Sequence, residues 1–307
     1  MERTQELKRA SWIGIIGNAF LAILKIVIGF ISGSLAVIGD GIDTLSDVLT
    51  YIITLFTARI ISKPPDCKFP YGYKKAETIS TKVLSFIIFF AGAQLLISTA
   101  TRLLSGEVRE MPSEIAMYVT ILSIVGKGIL AGWQFKIGKR TDSAMIIANA
   151  KNMRNDILIS FSVLVGLIFT FLFQMPMLDI VTAMFVSLWI MKVAFTIFRE
   201  TNTEMMDGVT DTEIYFKIFK AVEQVEGAHN PHRVRVRKLA DLFLVAMDIE
   251  VDSTITVFEA HEISRQVEVK LHEHIPNLYD VFLIHIEPEG NIEENEVYGI
   301  SKSNINS

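Results

Sequence analysis

The sequence contains a single cysteine, Cys67, among 307 residues. One thiol excludes an internal disulfide framework and a cysteine-rich zinc module, and Cys67 reads as an ordinary loop thiol. There is no basic excess. Lys and Arg total 29 against 34 Asp and Glu, for a formal charge of −5 and a pI near 5.7. Nothing in that balance points to nucleic acid. No nucleophile–base constellation is visible. The string from His261 to Arg265 (HEISR) lacks the second histidine of a zincin helix. The chain is therefore read as something other than an enzyme. What it has in abundance is apolar residues, at 50% of the chain and a mean hydropathy of +0.40. That is high for a soluble domain, while 21% charged residues is too many for a pure membrane bundle. A polytopic membrane part joined to a polar, soluble part satisfies both.

A membrane helix needs about 20 apolar residues to cross about 30 Å of hydrocarbon. Six stretches approach this: 11–31, 34–58, 79–103, 115–135, 143–173 and 177–198. The first is too long for a signal-peptide core and lacks a convincing cleavage site, so it reads as a retained span. Arg3, Lys8 and Arg9 precede span 1. Arg59, Lys63, Lys68, Lys74 and Lys75 lie between spans 2 and 3, and Lys136, Lys139 and Arg140 follow span 4. The 1–2 and 5–6 connections contain neither Lys nor Arg. By the positive-inside rule both termini and the two basic loops are expected in the cytoplasm, with the protein in the cell membrane.

From about residue 205 the patterning changes. Residues 211–225 have helical periodicity, and 233–238 and 242–251 read as strands. Thr256 with Glu259 forms a capping-box pattern opening a helix to about 274. Residues 279–287 alternate as a strand. The order αββαβ predicts a small α+β domain, with an antiparallel sheet covered by helices on one face. The expected division is a transport domain at 1–204, a cytosolic domain at 205–290 and a flexible polar tail at 291–307.

The spans carry ionisable groups where such groups are costly. Span 2 contains Asp40, Asp43 and Asp47; span 5 contains Asn152 and Asp156. Asp43 and Asp47 are four residues apart and share a helix face, as do Asn152 and Asp156. The first pair lies 16 and 12 residues before Arg59, and the second 12 and 16 residues after Arg140. At about 1.5 Å per residue, both pairs lie roughly 18–24 Å from their basic edges. On antiparallel neighbouring helices the four oxygen-bearing side chains would meet near mid-membrane. Three unneutralised carboxylates there demand a divalent cation or protons. Asp40, at the outer end of span 2, reads as a bond to a neighbouring helix. Lys25, Lys127 and Lys192 are available as ion-pair partners, the latter two reading more simply as snorkelling lysines.

These residues resemble the cation diffusion facilitator family of divalent-metal exporters. The resemblance runs from about residue 8 to 290. It rests on Asp43 with Asp47 in GDGIDTLSD, on the loop from Lys63 to Glu77, on Asn152 to Asp156, on Ala260-His261, and on the run from Ile284 to Pro288. The resemblance implies a six-span bundle, a ferredoxin-like cytosolic domain, a homodimer, and metal export driven by inward proton flow. It also implies that His232, Asp248, His261, His285 and Glu287 occupy cytosolic metal-binding positions, with a structural or regulatory ion between protomers. His229, His272 and His274 read as surface residues. Lys75 and Asp207 resemble a charge pair that joins the membrane and cytosolic parts in relatives.

Two departures from the family pattern are informative. Zinc exporters have histidine where this chain has Asn152. A set made of Asp43, Asp47, Asn152 and Asp156 offers only oxygen, which favours Mn²⁺ over Zn²⁺. An asparagine there also resembles the family's manganese-exporting branch. In the 2–3 loop, zinc-type members have histidines where Phe69 and Tyr73 stand, so Asp66 alone leaves no occupied loop site. The expected function is proton-coupled Mn²⁺ efflux, with Zn²⁺, Fe²⁺ or Co²⁺ as alternative cargo. A membrane-anchored metal sensor is the alternative from a different class.

Overall fold

The computed structural model describes residues 2–105, 110–141, 144–209, 212–239, 242–290 and 299–302. Six helices there are long and apolar enough to cross a membrane. They are α1 (Glu2–Ser32), α2 (Leu35–Ile61), α3 (Lys75–Leu104), α4 (Ile115–Arg140), α5 (Ala144–Phe173) and α6 (Met177–Met205). Each has at least 26 residues. At about 1.5 Å per residue that exceeds the hydrocarbon thickness. The chain divides into two compact units, residues 1–59 with 80–198, and residues 60–79 with 199–307.

In the first unit α1 packs on α4, and α4 on α5. The interior is made by Leu35, Val37, Leu84, Ile88, Val163, Leu167, Val186 and Ile190. The outside is equally apolar, with Phe30, Phe90, Phe185 and Trp189 exposed. An apolar exterior on helices of this length suits lipid, where backbone groups must be satisfied within the helix. The α1–α2 turn runs through Gly33 at φ 73°. The start of α2 leaves amides without helical acceptors. Ser34 Oγ accepts from Val37 N at 3.2 Å, and Asp179 of α6 accepts from Leu35 N at 2.9 Å and from Ser34 Oγ at 2.5 Å.

The second unit contains α7 (Glu213–Val222), β1 (His229–Leu239), β2 (Leu242–Val251), α8 (Val257–His274) and β3 (Leu278–Pro288). The αββαβ order is as expected, but the sheet is mixed rather than antiparallel. β1 pairs antiparallel with β2, and β2 pairs parallel with β3. The physical reason is the connection. β2 and β3 are joined by a crossover through α8, which returns the chain in the same direction. Helix α8 opens on a complete capping box, with Thr256 and Glu259 each bonding the other's backbone. One sheet face, with Val234, Val236, Val245, Met247 and Ile249, is covered by Ile218 and Phe219 of α7 and by Val267 and Leu271 of α8. Of the expected tail, 291–298 and 303–307 lie outside the described residues. Ile300 does not hang free; it exchanges backbone hydrogen bonds with Val234 at 3.0 and 2.9 Å.

Candidate metal centres

In the first unit the ionisable side chains converge. Asp40, Asp43 and Asp47 occupy successive turns of α2, and Asp156 comes from α5. Asp43, Asp47 and Asp156 act on one another electrostatically and form one acidic cluster. Asp156 is buried, whereas Asp43 and Asp47 are half-buried. Asn152 is brought less far. It lies one turn before Asp156 on α5, and in the single chain it is exposed.

Two lysines, both fully buried, compensate this charge. Lys25 Nζ lies 2.7 Å from Asp40 Oδ2, with both side chains essentially out of solvent. Lys25 also donates to Thr44 Oγ1 at 3.2 Å and Ser160 Oγ at 3.0 Å, and Ser160 Oγ donates to Asp40 Oδ1 at 2.7 Å. A close helix approach permits this. A Cβ on Gly41 would sit 2.7 Å from Ile26 Cγ1 and 3.1 Å from Lys25 Cβ. The second lysine, Lys127 of α4, is fully buried, with Nζ 3.2 Å from Asp156 Oδ2. Its snorkelling reading is therefore corrected. Position 127 is in the middle of α4 (Ile115–Arg140), and its ammonium turns inward to Asp156 rather than outward. Lys192 does lie outward, with its ammonium 5.2 Å from the Trp189 ring centroid.

A second cluster forms on the other face of the small sheet. His232, Asp248 and Glu287 are all buried, and each offers a ligand atom within 4.8 Å of the others. The register pairs Asp248 with both His232 and His285. Plain alternation would put His232 on the core face with Val234. Register irregularities flank His232, and Asn230 and Arg233 have φ of 41° and 48°. This bulge turns the imidazole to the polar face. His232 Nδ1 meets the Asn230 carbonyl at 2.7 Å, while Nε2 lies 3.4 Å from Glu287 Oε2. Fixing one ring nitrogen so that the other faces the site is the usual arrangement around a metal ligand. One imidazole and two carboxylates fit a divalent cation. An ion there would tie the three strands together.

The other expected ligands are placed differently. His285 shares the Glu287 face, with Nε2 3.4 Å from Glu287 Oε1, but its side chain is 56% exposed. His261 lies on α8 and is exposed, outside the cluster. Sequence reasoning missed Arg233, whose Nη1 lies 3.1 Å from Asp248 Oδ2, and Arg235, 3.7 Å from Oδ1. The alternation of basic residues along β1 (HRVRVRK) was the available signal.

In the 2–3 loop, Asp66 is occupied by the loop itself. It accepts from the Tyr73 hydroxyl at 2.5 Å and from the amides of Lys68 and Phe69, both at 2.8 Å. The Tyr73 hydrogen bond, followed by the Phe69 amide, holds this carboxyl below its ordinary range. Lys75 pairs with Asp207 at 2.8 Å, and Arg237 reaches the other Asp207 oxygen at 3.2 Å.

Comparison with known proteins agrees along almost the whole chain. The family profile described as the cation efflux transmembrane domain matches residues 11–206, and the cation efflux protein cytoplasmic domain matches 210–289. An uncharacterized transporter of Methanocaldococcus jannaschii is 32% identical over 287 residues, covering 92% of this chain and 99% of that protein. The manganese efflux system proteins MneS and MneP of Bacillus subtilis are 28% and 26% identical over 293 residues. Each comparison covers 94% of this chain, with 99% of MneS and 98% of MneP. The solved metal-bound C-terminal domain of the CzcD transporter from Thermotoga maritima is 38% identical over 26% of this chain and 93% of that one, at a TM-score of 0.25. With both of its parts matched, this multi-pass membrane protein belongs to the cation efflux family, also known as the cation diffusion facilitators.

Proposed function

We propose that the protein exports a divalent metal ion, Mn²⁺ by preference, in exchange for protons. The observation that carries this reading is the gathering of Asp43, Asp47 and Asp156 around the buried Lys127, whose Nζ lies 3.2 Å from Asp156 Oδ2. Three carboxyl groups gathered around one lysine still require protons or a cation to balance their charge. A site that holds either one is a site that exchanges one for the other. Asp43, Asp47 and Asp156 are the carboxylate ligands. Asn152, on the same α5 face as Asp156, is the fourth oxygen donor when the ion binds. Rocking of the helices carries the loaded site from one side of the membrane to the other, as in secondary transporters generally. Because asparagine does not titrate in this range, proton coupling rests on the aspartates.

The Mn²⁺ preference follows from an all-oxygen donor set. The two Bacillus subtilis relatives named as manganese efflux proteins support it. The basic loops orient both termini and the sheet domain toward the cytoplasm. The match to the cytoplasmic domain profile supports a homodimer held through that domain, and His232, Asp248 and Glu287 bind a structural or regulatory ion there. The test is metal uptake into proteoliposomes under an imposed proton gradient. Mn²⁺ flux that follows the gradient and disappears in Asp47→Ala supports the reading. Gradient-independent flux, or none, refutes it.

A further inference from the structure

We infer that Lys127 is a working part of the membrane ion site: a tethered ammonium that sets the charge of the carboxylate cluster and competes with the metal for Asp156. This rests on the exporter reading above. The two buried lysines are used differently. Lys25 is committed to Asp40, with Thr44 and Ser160 taking up its remaining protons, and forms a closed, neutral unit. Among the described contacts Lys127 has one hydrogen-bond partner, Asp156 Oδ2 at 3.2 Å. Asp43 and Asp47 lie within its electrostatic reach.

The charge arithmetic then separates Lys127 from the ligands. Asp43, Asp47 and Asp156 carry −3 when ionised; Lys127 brings the cluster to −2. One divalent ion neutralises it. Without the lysine, the loaded site keeps a net negative charge inside the membrane and the ion is held harder. A transporter must bind its ion strongly enough to load and weakly enough to let go. An ammonium 3.2 Å from a ligand oxygen opposes the metal directly, and reoccupies Asp156 as the metal leaves.

The experiment uses the full-length chain. Mn²⁺ affinity is measured by calorimetry in nanodiscs, and Mn²⁺ flux in proteoliposomes, for wild type, Lys127→Gln and Lys127→Arg. Removing a unit charge this close predicts at least about tenfold tighter Mn²⁺ binding in Lys127→Gln, with a maximal rate about tenfold lower. Lys127→Arg, which keeps the charge, stays within about threefold of wild type in affinity. A merely structural lysine moves the other way, with both affinity and rate falling together. Weaker or unchanged binding in Lys127→Gln overturns the inference, and if that variant does not fold, Lys127→Met is read by the same criterion. Wild-type protein that binds none of Mn²⁺, Fe²⁺, Co²⁺ and Zn²⁺ overturns the exporter reading, and this inference with it.

Discussion

Lys25 and Asp40 form a 2.7 Å ion pair in which neither side chain meets solvent. It joins α1 to α2, and through Ser160 it joins both to α5. Breaking such a pair leaves an uncompensated charge in a low-dielectric interior. Lys25→Ala is expected to destabilise the bundle by about 3–5 kcal/mol, and the double variant Lys25→Met with Asp40→Leu to recover most of that loss. Equilibrium unfolding in detergent micelles measures both. A single variant as stable as wild type would mean that Asp40 finds another partner.

Asp47→Ala and Asp156→Ala are each expected to abolish transport, because each removes one of the carboxyls proposed to bind the ion. Asp40→Asn is expected to affect stability more than ion affinity, since Asp40 is already paired with Lys25. Radiolabelled Mn²⁺ flux against protein yield separates the two outcomes.

Asn152→His replaces an amide oxygen with imidazole nitrogen. Zn²⁺ gains on Mn²⁺ by about tenfold or more if ligand softness sets selectivity. Competition between the two metals in proteoliposomes reads this directly. An unchanged preference would assign selectivity to some other part of the path.

The sheet cluster is expected to bind metal independently of the membrane site. A variant carrying Asp43→Ala, Asp47→Ala and Asp156→Ala should retain one bound ion per chain, which His232→Ala then removes. Arg233 competes for Asp248, so Arg233→Ala should tighten that binding. Calorimetry on the full chain gives the count and the sign.

Asp66 provides a pH test outside the membrane. The Tyr73 hydroxyl and the Phe69 amide depress its pKa in the folded loop. A depressed carboxylate stabilises the folded loop above the unfolded pKa of about 3.9, and the contribution disappears as pH falls through the lower folded value. Tyr73→Phe is expected to move the Asp66 titration upward, as followed by carboxyl-carbon NMR. No movement would show that the hydroxyl bond is absent in solution.

Much of this architecture was legible in the sequence, and the gaps have identifiable causes. The six spans follow from apolar length, and the meeting of α2 with α5 follows from matched distances to Arg59 and Arg140. The faces of His285 and Glu287 follow from strand alternation, and the start of α8 from Thr256 and Glu259. Strand direction was not legible, because a helical crossover rather than a pattern of residues sets β3 parallel to β2. His232 reaches Asp248 through a bulge at positive φ, which period-two alternation does not encode. The pairing of Lys127 depended on which α4 face meets α5. Helix α4 has almost no apolar-to-polar asymmetry around its axis, and such a helix does not announce its buried side. The exposure of Asn152 and His261 likewise belongs to packing rather than to spacing.

If one divalent ion and protons compete for the same intramembrane carboxylates, Mn²⁺ cannot load without displacing protons. The decisive experiment counts the protons released when Mn²⁺ binds nanodisc-embedded protein in weakly buffered solution. Proton release is expected to accompany binding, to be lost in the variant lacking Asp43, Asp47 and Asp156, and to persist in His232→Ala. Mn²⁺ binding at the membrane site with no proton released would contradict it.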